Sequence, residues 1–133
     1  MKRRDFGISA LTGTAAIVTL PRLAKAAPPD VWTNVVYTAE NPAHWKGREA
    51  SHVPVVEIKD GKVTVRTPHG MSEEHYIVSH AVVLDNGVFL DRKAFTPKDQ
   101  PVSEHTLPAG YSGSVTVAST CNLHDIWVKT VKV

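Results

Sequence analysis

One cysteine and seven histidines carry the most distinctive chemistry in this 133-residue chain. Cys121 and His124 stand three apart in Cys121-Asn122-Leu123-His124. Three more histidines lie upstream at separate places: His52 before Val53-Pro54, His69 in Thr67-Pro68-His69-Gly70, and His75 in Glu73-Glu74-His75-Tyr76. A thiolate and four imidazoles form a borderline-soft donor set. It suits iron, copper or zinc, whereas calcium and magnesium take oxygen ligands. Any one of these histidines alone is more often structural, and the lone cysteine alone reads as a small buried hydrophobe. Their joint spacing favours a shared ion. His44, His80 and His105 are assigned no ligand role, because solvated or core-satisfied histidines are the common case.

The elements that must position these residues read as strands. Period-two alternation runs through 53–58 and 62–67, joined by Asp60-Gly61, the strongest hairpin turn in the sequence, with Val63 and Val65 on one face. Further runs cover 75–84, 88–95, 113–120 and 126–133, and 31–37 alternates loosely as a first strand. The stretch 41–49 reads as irregular, and the segment holding Pro97, Pro101, Pro108 and Gly110 as turns. No convincing amphipathic helix follows residue 26. About seven short strands with frequent turns predict an all-β protein, an antiparallel β-sandwich of immunoglobulin-like size, with an open barrel as the alternative. The five candidate ligands then fall at strand ends and in loops, where a rigid scaffold commonly presents binding groups.

The first 26 residues read as an export signal and the rest, 27–133, as one domain. Lys2-Arg3-Arg4-Asp5-Phe6 is a charged head, a mild apolar run follows to Leu20, and Leu23-Ala24-Lys25-Ala26 supplies the small residues a signal peptidase reads. Paired arginines with phenylalanine two positions on resemble a twin-arginine signal, so a periplasmic location is expected. Cleavage after Ala26 removes five of the fifteen cations and one of the thirteen anions. The net charge then changes from +2 to −2, so nothing supports nucleic-acid binding. No apolar run is long enough to span a bilayer once the signal is gone. Twin-arginine export carries folded proteins, so a metal can enter before transport. A metal-bound thiolate is also shielded from much of the oxidation that threatens a bare one.

The blocks His52-Val53-Pro54-Val55, Pro68-His69-Gly70-Met71-Ser72-Glu73-Glu74-His75-Tyr76-Ile77 and Cys121-Asn122-Leu123-His124-Asp125-Ile126-Trp127 resemble the superoxide reductases of the neelaredoxin/desulfoferrodoxin family. The resemblance spans nearly all of 45–133. It implies an immunoglobulin-like sandwich with a mononuclear non-haem Fe2+/Fe3+ centre, its equatorial histidines at His52, His69, His75 and His124 and its axial thiolate at Cys121. The implied reaction is one-electron reduction of superoxide to hydrogen peroxide, with an external electron donor such as a small redox protein. A homo-oligomer is compatible with this. With one cysteine the chain has no four-cysteine second iron site, so the single-centre type is the one it resembles.

Two departures from the family pattern stand out. A Glu-Lys pair usually precedes the first histidine, the lysine drawing in superoxide and the glutamate closing the oxidised iron. Here those positions are Ala50 and Ser51. Arg48 and Glu49, slightly earlier, are the candidates to replace them in a catalytic role, with Lys46 a further cation. Asp125 stands where glycine is usual. Three other readings remain open on the residues alone. A blue-copper-like electron carrier would leave two histidines unexplained. A non-catalytic metal-binding sandwich is kept alive by Ala50 and Ser51. Structural zinc normally uses four ligands, one fewer than are present.

Overall fold

The computed structural model describes residues 31–133; the export signal expected at 1–26 lies outside the described residues. Eight strands form two sheets: β1 (Val36–Tyr37), β2 (Val55–Lys59), β3 (Lys62–Arg66), β4 (Ile77–Leu84), β5 (Phe89–Ala94), β6 (Val102–Thr106), β7 (Ser114–Cys121) and β8 (Asp125–Lys132). One sheet runs in the order β1-β8-β7-β4-β5, the other β2-β3-β6. The expected sandwich is present, with one departure: β1 joins the edge of β8 in parallel, Val36 opposite Ile126. Most of the predicted first strand is instead a 3-10 turn, Val31–Asn34, which leaves only two residues to pair.

The period-two pattern explains why the sheets close on each other. In β7 every second residue is buried, with Val115, Val117, Ser119 and Cys121 facing in. Val63 and Val65 of β3 meet Val82, Val115 and Val117 in the main core, all fully buried. Asp60 and Gly61 both take positive φ, 51° and 74°, as a two-residue turn of the mirror-image type requires. Among the described residues no helix is long and apolar enough to cross a membrane.

β6 was not expected. It lies where prolines suggested only turns, and it completes the second sheet by pairing with β3, Val63 opposite His105 and Val65 opposite Ser103. Its inward residues are Ser103 and His105, so it carries no apolar period to read. These two residues belong to a buried hydrogen-bonded chain that crosses the sandwich. Asp91 Oδ2 lies 2.8 Å from His105 Nδ1, and His105 Nε2 2.8 Å from Ser103 Oγ. Ser103 Oγ is 2.8 Å from His80 Nδ1, His80 Nε2 2.8 Å from Thr67 Oγ1, and Thr67 Oγ1 2.7 Å from Ser119 Oγ. Read from Ser119 toward Asp91, each group between these two ends donates one proton onward and accepts one. The polar layer is therefore complete without any ion.

Candidate metal centre

Each candidate ligand is brought in by a different local device. His52 ends a single helical turn, α1 (Glu49–His52), that leads into β2, so it lies in a helix rather than simply ahead of a strand. His69 follows β3, where its N–H bonds the Thr67 carbonyl at 2.8 Å. His75 closes a tight turn with Ser72 just before β4. Cys121 is the last residue of β7, and His124 sits in the turn to β8, its carbonyl held by the Trp127 indole N–H at 2.9 Å. Asp125, next in sequence, takes φ +63°, a conformation that glycine adopts freely and that aspartate tolerates.

All five side chains converge. His52 Nε2 is 3.1 Å from His124 Nδ1, His124 Nδ1 is 3.1 Å from His75 Nε2, and His75 Nε2 is 3.0 Å from His69 Nε2. Cys121 Sγ lies 3.5 Å from His124 Nδ1. The ligand atoms of His52, His69, His75 and Cys121 all fall within 4.8 Å of one another. His52, Cys121 and His124 are buried, while His69 and His75 are half-exposed.

Proton counting shows that these nitrogens do not satisfy one another. His52 Nδ1 lies 2.8 Å from Ser51 Oγ and 3.1 Å from the Arg48 carbonyl, and the Ser51 hydroxyl reaches the same carbonyl at 3.1 Å; with the hydroxyl proton given to that carbonyl, Nδ1 carries the ring proton and Nε2 a lone pair. The Gly70 carbonyl fixes His69 in the same way. The row His52, His124, His75, His69 therefore has a lone pair at each end. If both middle rings donate outward, their own N–H groups face each other at 3.1 Å; any other arrangement sets two lone pairs together. A cation among four lone pairs removes the conflict. Neighbouring nitrogens that shared one ion at an ordinary imidazole–metal distance of about 2.1 Å would stand about 3 Å apart, the spacing of these three pairs. The donor set therefore fits a metal.

The electrostatics agree. Burial, and then His69, holds the His52 pKa down at about 4. Burial also lowers His69, and His124, where the Arg48 charge adds to it. Neutral imidazoles are the form a metal binds. A solvent-open cavity of about 400 Å³ lies against the imidazole side of the cluster, lined by His52, His69, His75, Arg48, Ser51 and Met71. Cys121 and His124 do not line it, so access is from the side away from the sulfur.

Arg48 thus borders the cavity, with its guanidinium 5.7 Å from the centre of the Trp45 ring. Glu49 is half-buried and accepts the Gly47 N–H at 2.7 Å; it is not in the cavity wall. His44 packs between Tyr37 and Trp45, outside the cluster, and His80 and His105 belong to the separate polar layer. Sequence reading gave no role to Tyr37 or Trp45. Both donate to Asp125 Oδ2, at 2.8 and 3.0 Å, and Trp45 stands edge-on to His124 with ring centres 4.6 Å apart. Tyr37 is fully buried, and burial followed by Asp125 raises its pKa to about 12.

The chain belongs to the Desulfoferrodoxin family, which matches residues 43–130. Its fold is similar to a variant of superoxide reductase (neelaredoxin) from Ignicoccus hospitalis, at 26% identity and TM-score 0.68, over 74% of this chain and 92% of that one. A variant of superoxide reductase (neelaredoxin) from Archaeoglobus fulgidus in the reduced form shares 25% identity over 68% of this chain and 93% of that one, TM-score 0.56. The single-iron superoxide reductase of Giardia intestinalis, at 21% identity and TM-score 0.56 over 62% and 98% of the two chains, shares the fold. None of the curated proteins matches the chain.

Proposed function

We propose that this protein is a superoxide reductase whose mononuclear iron is held by His52, His69, His75 and His124, with Cys121 as the thiolate ligand. The single observation that carries the reading is the convergence of four imidazole nitrogens and one sulfur, each within 3.5 Å of another member of the set. Family membership and the named structural neighbours support the choice of iron and superoxide. Four imidazoles and a sulfur exceed both the His2Cys core of a blue-copper centre and the four ligands of structural zinc.

Held by these residues, iron would supply the one-electron reduction of superoxide, with two protons and an external electron donor needed to complete turnover. The residues do the rest. Arg48-carbonyl and Gly70-carbonyl hydrogen bonds orient His52 and His69 so that Nε2 of each faces inward. Cys121, buried on the inner face of β7 and outside the cavity wall, would give its sulfur to a bound iron as a thiolate. Arg48 places the positive charge at the cavity wall that guides a small anion inward, in the absence of a lysine beside His52. Glu49, fastened to Gly47, would have to leave that bond to reach the centre.

The test is metal content and transient kinetics on anaerobically purified protein. One iron per chain and rapid oxidation of the reduced protein by superoxide, with peroxide as product, are expected. Stoichiometric copper or zinc, or reduced protein inert to superoxide, would refute the reading. We further propose that residues 1–26 are a twin-arginine signal and that the mature domain 27–133 works in the periplasm. The Arg3-Arg4-Asp5-Phe6 head and the Ala24-Lys25-Ala26 ending support this. Fractionation with N-terminal sequencing tests it, and retention of the full-length form in the cytoplasm would exclude it.

A further inference from the structure

We infer that Asp125 is a positioning residue that fastens the N-terminal segment, residues 31–45, over the His124 face of the centre and so sets the orientation of that ligand. This deepens the metal-centre reading and rests on it only for the spectroscopic arm of the test.

Three observations meet at one carboxylate. Asp125 adopts φ +63° at the end of the β7–β8 ladder, opposite Cys121 and directly after His124. Its Oδ2 accepts from a segment far away in sequence: the Trp45 indole N–H at 3.0 Å, and the Tyr37 O–H at 2.8 Å, a hydroxyl whose one proton is shared with the Asn34 carbonyl at 2.5 Å. Trp45 in turn lies edge-on to the His124 ring at 4.6 Å, while the His124 carbonyl is pinned by Trp127 at 2.9 Å. The imidazole thus has its backbone fixed by one indole and its ring faced by another, and Asp125 holds the second.

The segment needs such an anchor. β1 contributes only two residues to the sheet edge, and a ladder that short holds weakly by itself. Tyr37, wholly buried against Trp127 with ring centres 5.2 Å apart, brings the apolar part of the attachment. Hydrogen bonds to a charged acceptor supply the rest and are the stronger kind.

The experiment compares Asp125→Gly with Asp125→Asn in the full chain. Glycine relieves the backbone at φ +63° and removes the acceptor; asparagine tolerates the same φ and keeps an acceptor oxygen. In metal-free protein, Asp125→Gly should speed hydrogen exchange at the β1 amides about tenfold or more, as expected for losing bonds to a charged group, and Asp125→Asn should restore most of the protection. In iron-loaded oxidised protein, Asp125→Gly should shift the optical and EPR signature of the centre, and Asp125→Asn should return it toward wild type. Unchanged β1 exchange in Asp125→Gly, or an Asp125→Asn protein as perturbed as the glycine variant, overturns the inference. If Asp125→Gly does not fold, Tyr37→Phe serves, with faster β1 exchange in support and unchanged exchange against. The exchange arm needs no metal, so it distinguishes failure of this inference from failure of the metal-centre reading.

Discussion

Replacing His80 should make the protein less sensitive to acid. His80 is completely buried, bonded through Nδ1 to Ser103 and through Nε2 to Thr67, and packed edge-on against Phe95. Burial, and then the neighbouring His105, lowers its pKa from 6.5 to about 4. In the unfolded chain it titrates near the ordinary value. Above the unfolded pKa both states are neutral at His80 and nothing is lost. As pH falls below it, the unfolded chain takes up a proton that the folded protein refuses, so stability falls until the folded pKa is reached. Between about pH 7 and about pH 5 a site with these two values accounts for about 2 kcal/mol of lost stability.

The variant to compare is His80→Gln, which retains an amide donor and acceptor but has no charge to gain. Its own cost at neutral pH, roughly 1–3 kcal/mol for weakened bonds to Ser103 and Thr67, leaves a domain of ordinary stability folded. Urea unfolding of the metal-free full chain at the two pH values gives four free energies. The fall from neutral to acid pH should be about 2 kcal/mol smaller in the variant than in wild type. His52, His69 and His124 also resist protonation, but they contribute to both proteins and cancel in the difference. An equal fall in both proteins would mean that His80 takes up protons freely while folded, and would refute the directional hydrogen-bond chain drawn from Ser119 to Asp91.

Three shorter predictions follow from other parts of the structure. Cys121→Ser should abolish the thiolate-to-iron absorption band of the oxidised protein while far-UV circular dichroism stays that of a β-sandwich; a persisting band would remove Cys121 from the ligand set. Arg48→Ala should slow oxidation by superoxide several-fold at low ionic strength and flatten its salt dependence, as expected for loss of a cation at the cavity wall; unchanged rates would remove Arg48 from guidance. Gly113→Ala should cost about 1–3 kcal/mol in urea unfolding, because φ is +148° there and an added Cβ would sit 2.3 Å from the Asp85 carboxylate; an unshifted midpoint would contradict that backbone.

How much could be read without coordinates depended on whether chemistry or packing carried the signal. The hairpin at Asp60-Gly61 was legible because two consecutive positive φ values demand such residues. The inward stripes of β3 and β7 were legible because valines mark every second position. The convergence of Cys121 with His52, His69, His75 and His124 was foreseeable because a lone cysteine and well-placed histidines are chemically distinctive in kind and spacing. β6 was not, since its inward Ser103 and His105 replace the apolar period with hydrogen bonds to partners in other strands. Nor was the role of Asp125, whose donors Tyr37 and Trp45 lie 88 and 80 residues away in sequence. Arg48 and Glu49 were singled out together as neighbours of His52, yet a single helical turn sends one to the cavity wall and the other to the Gly47 amide.

The interior therefore holds two groups of histidines that differ in proton balance rather than in residue type. His80 and His105 each meet a hydroxyl, and His105 also a carboxylate, so every ring nitrogen has one partner of the opposite kind. His52, His69, His75 and His124 meet mainly one another, with backbone carbonyls pinning the protons of two rings on the outer side. The first group is closed and stabilises the sandwich by joining its sheets. The second is open by one cation, and it lies at the end of the same inner face of β7, where Cys121 follows Ser119 by two residues. One strand thus carries a member of the closed layer and a member of the open one.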